Sequence, residues 1–258
     1  MHGLIVDGLN LIRRVWAALA AGAEPPAADR AVEACCASLA RLIRHQQPTH
    51  ALCVMDSGQR SWRHELFPGY KANRDPMPEA LAIVLPEILA AFETRGVHAL
   101  ERAPFEADDV IATCAVRIAE AGGRATIAST DKSFCQLLAD NIRVYDHFSD
   151  RYLDADYVRL RYDVEPRFLH TVMALTGNAS VNVPGVRSVG PRTAAALVHE
   201  HGDLDAILAS AATIKGHTGA MLRADREQAL LAMRLLSLRT DLELGVNLRE
   251  FRYVPAAQ

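Results

Sequence analysis

The sequence predicts an α/β fold: a mostly parallel, twisted sheet flanked by helices, followed by a smaller all-α lobe. Three observations carry this. From residue 1 to about 155 short apolar runs alternate with helical stretches, the order of strand and crossover helix in a parallel sheet. Beyond about 155 the strand signal stops and helices punctuated by Gly and Pro take over. At 258 residues, 50% of them apolar, the chain can bury a sizeable core as one large domain or two modest ones, and the shift near 155 places the domains at 1–155 and 156–258.

The candidate strands are 4–7, 51–56, 97–100, 124–129 and 142–145, each a short apolar run. Helices are expected near 28–46, 79–94, 106–121 and 133–138; in the third, Val110, Ile111, Cys114, Ala115 and Ile118 recur at helical spacing. The stretch 20–28, rich in Ala and Pro, is expected to be a loop. No internal repeat or low-complexity segment interrupts this order.

Composition narrows the class. No unbroken apolar run is long enough to cross a bilayer, so no membrane association is expected. The chain enters a strand almost at once, so no signal peptide is expected. Cys35, Cys36, Cys53, Cys114 and Cys135 are odd in number, form no C-x-x-C pair and sit among apolar neighbours, as reduced core residues do. A cytoplasmic monomer is expected. The formal charge of −3 does not by itself indicate a nucleic-acid binder. The local distribution of charge does, as the next features show.

Three apolar runs end on an aspartate: Leu4-Ile5-Val6-Asp7, Cys53-Val54-Met55-Asp56 and Thr126-Ile127-Ala128-Ser129-Thr130-Asp131. Between them lies Glu106-Ala107-Asp108-Asp109, which opens a helix. The carboxyl ends of parallel strands form one edge of a sheet, where ligands bind. Carboxylates gathered there raise one another's pKa unless a cation answers their charge, and a hard oxygen set suits magnesium or manganese. The plainer reading is that an aspartate closing a strand caps the next helix, and acids in a first turn gain from the helix dipole. Glu106, Asp108 and Asp109 together exceed what capping needs.

Directly after Asp56, residues 57–74 carry Arg60, Arg63, His64, Lys71 and Arg74 interleaved with Trp62, Phe67 and Tyr70, against the single acid Glu65. Cations suit backbone phosphates and aromatic rings suit unstacked bases. A solvated loop with a few anchoring aromatics is the alternative. Further on, Val183-Pro184-Gly185-Val186-Arg187-Ser188-Val189-Gly190-Pro191-Arg192-Thr193 describes a tight loop feeding a helix, with Pro191 at its first position. Free backbone N–H groups there can hold a phosphate. The segment resembles the helix-hairpin-helix, a reader of DNA backbone, and places such a motif near 172–200.

Nucleotide-binding signatures are missing: there is no G-x-x-x-x-G-K-[ST] and no G-x-G-x-x-G. His199 and His201 lack partners at zinc spacing.

Taken in order, Asp7-Gly8, the Asp56 strand with Tyr70-Lys71-Ala72-Asn73-Arg74, Glu106-Ala107-Asp108-Asp109, Thr130-Asp131-Lys132 and Val183–Ala194 resemble the 5′-nuclease, or flap endonuclease, family over nearly the whole chain. Among its members the small stand-alone bacterial type is most similar. The resemblance implies a PIN-like 5′-nuclease core with a helix-hairpin-helix lobe, and hydrolysis of DNA at junctions between duplex and a 5′ single-stranded flap or frayed end. It implies that Asp7, Asp56, Glu106 and Asp108 bind Mg²⁺, or Mn²⁺, with Asp109 and Asp131 nearby or acting through water. Lys71 and Arg74 would approach the scissile phosphate, and 57–78 would form an arch for the single strand. Arg60 and Arg63 would join these in binding DNA. Carbonyls of Leu175, Thr176, Pro184, Val186 and Val189 would hold K⁺, and Ser188, Val189, Gly190, Pro191, Arg192 and Thr193 would meet duplex phosphates.

Three departures qualify this. Where the family usually has G-D-K-D, the chain has Thr130-Asp131-Lys132-Ser133; where it has G-D-x-S-D-N, the chain has Gly177-Asn178-Ala179-Ser180-Val181-Asn182. Three acids of a second metal site are thus replaced by Ser133, Asn178 and Val181, and a valine cannot ligate. Slower or more metal-demanding cleavage is expected. Two other readings stand beside it: a PIN-like ribonuclease, which lacks a helix-hairpin-helix lobe, and a protein that binds flaps or forks without cutting them.

Overall fold

The computed structural model describes residues 1–21 and 26–254. Part of the loop expected at 20–28, residues 22–25, lies outside them. The chain runs β1 (His2–Asp7), α1 (Gly8–Leu19), α2 (Ala28–Gln46), β2 (His50–Met55), α3 (Trp62–Leu66), α4 (Glu79–Glu93), β3 (His98–Glu101), α5 (Ala107–Glu120), β4 (Arg124–Ala128), a 3₁₀ segment (Lys132–Leu137), β5 (Ile142–Asp146) and β6 (Arg151–Tyr152). There follow α6 (Ala155–Tyr162), α7 (Leu169–Thr176), β7 (Gly177–Asn178), β8 (Val183–Pro184), α8 (Pro191–His201), α9 (Leu204–Ser210), α10 (Gly216–Ala224) and α11 (Arg226–Leu236).

The main sheet has the order β3-β2-β1-β4-β5-β6, parallel throughout except for the antiparallel edge strand β6. β1 lies at its centre, with Val6 in register with Cys53 on one side and Ala128 on the other. All six of its residues are buried, because helices cover both faces of a parallel sheet and leave no side for polar residues. Successive side chains alternate between the faces. Leu4 and Val6 join a core with Leu11, Ile12 and Trp16 of α1, Leu39 of α2 and Phe92 of α4. Ile5 joins the opposite core with Ile111 and Ala115 of α5, which continues through Leu169, Leu175, Ala194 and Leu235 of the helical lobe. The lobe is thus packed onto one face of the sheet.

The predicted strands and the helices near 28–46, 79–94 and 106–121 match the structure to within a few residues. The expected helix near 133–138 is a 3₁₀ segment. α1 carries no expectation from the sequence: it follows β1 with no intervening turn residue, so the strand reading runs straight into it. The helical lobe also contains one β ladder, Gly177↔Pro184 and Asn178↔Val183, too short for any periodicity to show.

Candidate active site

The strand order reverses between β1 and β4, and at such a switch point the carboxyl ends of the strands part to leave a crevice. Asp7 ends β1 on its floor. Its Oδ2 accepts from Ser129 Oγ at 2.7 Å and its Oδ1 from the Asn10 N–H at 3.2 Å, so it caps α1 as well as facing the crevice. Across the gap, Asp131 caps the 3₁₀ segment by accepting from the Ser133 N–H at 2.8 Å. Asn10 ties the two strand ends together, donating to Thr130 Oγ1 at 2.9 Å and accepting from the Thr130 N–H at 3.1 Å. The capping and acidic-cluster readings therefore hold for the same residues.

Glu106 stands before α5, buried, and is surrounded by donors. Its Oε2 accepts from Lys71 Nζ at 2.5 Å and Tyr70 Oη at 3.2 Å, its Oε1 accepts from Ser61 Oγ, and Arg63 Nη1 lies 3.5 Å away. Burial disfavours the Glu106 carboxylate, but the charges of Lys71 and Arg63 outweigh it and lower the pKa to about 2. Asp108, one turn edge further on, has Lys71 Nζ at 3.9 Å. Burial, opposed by Lys71 and reinforced by Asp131 and Asp7, raises its pKa to about 7. Asp7 is raised to about 6, first by burial and also by Asp131. Asp56, half-buried at the end of β2, accepts from the Gly58 N–H at 3.2 Å.

Two predicted site residues lie elsewhere. Asp109 was expected beside the metal and Arg63 on DNA; the structure instead pairs them with each other inside the protein, fully removed from solvent. Successive residues on a helix diverge by about 100°, so Asp108 and Asp109 cannot both face the crevice. The 57–78 stretch holds only the short helix α3 and a run of turns, rather than an extended arch. Its 69–74 part is docked on the helical lobe: the Lys71 N–H donates to the Val181 carbonyl at 2.9 Å, Asn73 Nδ2 to Ala179 at 2.7 Å and Arg74 Nε to Ser180 at 3.2 Å. Arg60 is exposed beside α3.

In the lobe, Gly177 and Gly185 approach so closely that a Cβ on Gly185 would meet the Gly177 nitrogen at 2.3 Å. This contact closes the short β7–β8 ladder between α7 and α8. The Val186 N–H donates to the Leu175 carbonyl at 2.8 Å, the Val189 N–H to that of Val186 at 3.2 Å, and Gln228 Nε2 to that of Pro184 at 2.8 Å. Gly190 caps α8, Pro191 opens it, and Ser188, Gly190, Pro191 and Arg192 are exposed, with Thr193 half-buried and Val189 buried. Pro191, Arg74, Asn178 and Asp131 share a cleft of about 530 Å³ with Asn10, so the hairpin end and the crevice are continuous. Ser133, Asn178 and Val181 line one small recess with Asp108 and Asp131. Sequence reasoning passed over Ser61, Ser129 and Asn10, which hold the acids in place; single polar residues at strand and helix ends give no signal that separates them from ordinary caps.

The described residues contain no three acidic, His or Cys side chains already at metal-ligand spacing, since Glu106 is held by Lys71 and Ser61. The donor chemistry nonetheless fits a hard divalent cation: Asp7, Asp108 and Asp131 repel one another, and a cation among them would relieve that repulsion.

Acids at a switch point, a lysine against them and a helical wall across the cleft define a nuclease architecture. The chain belongs to the 5′-3′ exonuclease family: the N-terminal resolvase-like domain of that family matches residues 2–163, and its C-terminal SAM fold matches 164–258. Flap endonuclease Xni of Klebsiella pneumoniae (strain ATCC 700721 / MGH 78578) is 42% identical over 254 residues, 98% of each chain. Flap endonuclease Xni of Aeromonas hydrophila is 45% identical over 262 residues, 100% of this chain and 97% of the relative. Among solved structures, the bacteriophage T5 D15 flap endonuclease in a complex with DNA and metal ions shares the fold, with a TM-score of 0.75 at 22% identity over 92% of this chain and 89% of that one. Among the described residues no helix is long and apolar enough to cross a membrane, and all five cysteines are buried and free.

Proposed function

We propose that the chain is a flap endonuclease and 5′-3′ exonuclease that hydrolyses DNA phosphodiester bonds where a 5′ single strand leaves duplex. The observation that carries this reading is the convergence of Asp7, Asp108 and Asp131 with Lys71 at the switch-point crevice, open to the hairpin end of the helical lobe. Full-length likeness to relatives named Flap endonuclease Xni supports the substrate.

Asp7, Asp56, Glu106 and Asp108 would hold Mg²⁺, or Mn²⁺, with Asp131 acting through water. The bound ion supplies a Lewis acid for the phosphate and lowers the pKa of its water. Lys71 faces the charge that develops on the phosphoryl oxygens, with Arg74 at the same cleft. Exposed backbone and Arg192 at the start of α8 meet duplex phosphates without reading bases. The Leu175, Pro184 and Val186 carbonyls each keep a second lone pair, which with Thr176 and Val189 would serve K⁺. The five buried, free thiols suit the reducing cytoplasm.

The test is cleavage of an end-labelled 5′-flap duplex under magnesium and manganese titration, with EDTA and Asp108→Ala as controls. Metal-dependent cutting near the branch, lost in the variant, is the expected result. The replacement of three acids by Ser133, Asn178 and Val181 favours one other reading, a flap-binding protein without turnover. Tight flap binding with no cutting at any metal concentration would establish it.

A further inference from the structure

Outside the crevice a second surface combines the two kinds of group that unpaired nucleotides require. It begins at Arg14, exposed on α1, which lines the cleft beside Thr130 and Asp131. The Arg14 guanidinium lies 5.6 Å from the ring centroid of Phe148, in the turn joining β5 to β6. On the far side of that turn Tyr152 packs against Tyr145 at 5.1 Å, and the Arg143 guanidinium stands 6.0 Å from the Tyr152 centroid. Tyr145 in turn stacks on His45 of α2, with centroids 4.8 Å apart and planes 12° from parallel. Arg41, one turn back on the same helix, reaches His147 Nε2 at 3.0 Å.

The exposure pattern separates this surface from a simple hairpin anchor. Among the described residues Phe148 and Tyr152 are the exposed aromatic members of the large hydrophobics, at 40% and 37%, and both stand on this hairpin under an arginine. The β5–β6 hairpin is already pinned to α2 by Tyr145 of β5, which is buried against His45, and by the hydroxyl of Tyr152 of β6, which donates to Gln46 Oε1 at 3.1 Å. That anchoring does not require the Phe148 and Tyr152 rings to be exposed. The nearby acids are engaged: Asp146 is buried and accepts from the Phe148 and Ser149 N–H groups, and Asp150 accepts from the Tyr145 hydroxyl.

We propose that this surface, from Arg14 through Phe148 to Tyr152 and Arg143, binds single-stranded DNA that leaves the cleft. Bases stack on Phe148 and Tyr152, and Arg14, Arg41 and Arg143 meet the phosphates. The binding is tolerant of sequence, since every base offers a ring face and no side chain here aligns with base edges. The proposal rests on the nuclease reading only for the source of the strand.

Fluorescence anisotropy in EDTA, with a labelled oligothymidine and a blunt duplex as separate ligands, tests it. Phe148→Ala combined with Tyr152→Ala is expected to weaken oligothymidine binding at least about fivefold while leaving blunt-duplex binding unchanged. Because Tyr152 also packs on Tyr145, Arg143→Ala, an exposed change, serves as the second variant. It should lower the salt dependence of oligothymidine binding by about one unit of slope. Oligothymidine affinity and slope within error of wild type in both variants, or an equal loss for both ligands, would overturn the proposal. Flap cleavage is scored separately: oligothymidine binding through these residues by a protein that cuts no flap would refute the nuclease reading alone.

Discussion

Arg63 and Asp109 face each other through two parallel hydrogen bonds, Nη1 to Oδ2 and Nη2 to Oδ1, both 2.7 Å, with neither side chain open to solvent. The guanidinium also donates to the carbonyls of Leu235 at 2.8 Å and Ser237 at 3.0 Å, and lies 4.4 Å from the Trp62 ring centroid. Asp109 accepts in addition from Trp62 Nε1 and the Arg239 N–H, each at 3.0 Å. One pair thus joins α3, α5 and the chain leaving α11, which come from three distant parts of the sequence. It fixes the helix that carries Asp108 against the lobe across the cleft.

Removing one partner leaves the other charge buried and unpaired. Arg63→Met is therefore expected to lower unfolding stability by about 3–5 kcal/mol. Urea unfolding measures this, and Arg63→Met with Asp109→Leu should recover much of the loss. A single variant as stable as wild type would show that the pair is not the clasp described here.

Lys71 is the cation placed between Glu106 and Asp108, at 2.5 and 3.9 Å. A donor aimed at charge that grows in the transition state contributes roughly 10²–10³ in rate, whereas one phosphate contact adds only about one unit of salt slope to binding. Lys71→Ala should thus lose far more in single-turnover cleavage than in flap affinity. Equal losses in both would make it a binding residue only.

How much of this was legible follows from the length scale of each feature. Asp7 and the end of β4 could be read because a strand's apolar run and its closing acid are contiguous, and a parallel sheet fixes which edge they reach. Asp109 was misread although the means to place it were local: adjacent helical residues point about 100° apart, so one of the two acids had to turn inward. Its partner could not be found the same way. Arg63 lies 46 residues away in a segment whose composition suits DNA, and only the tertiary packing shows that its guanidinium is buried. The helix expected near 133–138 is the 3₁₀ segment Lys132–Leu137, too short for its type to show in a period, and the β7–β8 ladder escaped for the same reason.

The raised pKa values of Asp7, about 6, and Asp108, about 7, predict a pH dependence of stability in the absence of metal. Where a folded-state pKa lies above its unfolded value, the folded state holds more protons between the two, and stability falls as pH rises through that window. Between about pH 4 and 7 these two groups should therefore destabilise the protein. Asp108→Asn removes one of them and should be more stable than wild type at pH 7, by an amount on the order of 2 kcal/mol, with the advantage vanishing near pH 4. Thermal unfolding in EDTA across that range checks it; a constant difference between the two proteins would mean that burial and the neighbouring acids do not raise the Asp108 pKa in the folded protein.

Ser133, Asn178 and Val181 meet Asp108 and Asp131 in one recess, so restored acids there would add carboxylates to the same cluster. Asn178 is the position best suited to this: its Oδ1 accepts from the Ser180 N–H at 3.0 Å, a cap that aspartate also makes. Val181 is not, being buried among the apolar side chains of the core. Ser133→Asp with Asn178→Asp is expected to lower the magnesium concentration for half-maximal flap cleavage by about tenfold, the effect of ~1.4 kcal/mol in ion binding. A second readout is independent of turnover. Added negative charge should make the double variant less stable than wild type in EDTA, and saturating magnesium should restore it, because an ion bound only by the folded protein stabilises that state. An unchanged magnesium requirement together with an unchanged stability in EDTA would place these two positions outside the field of Asp108 and Asp131.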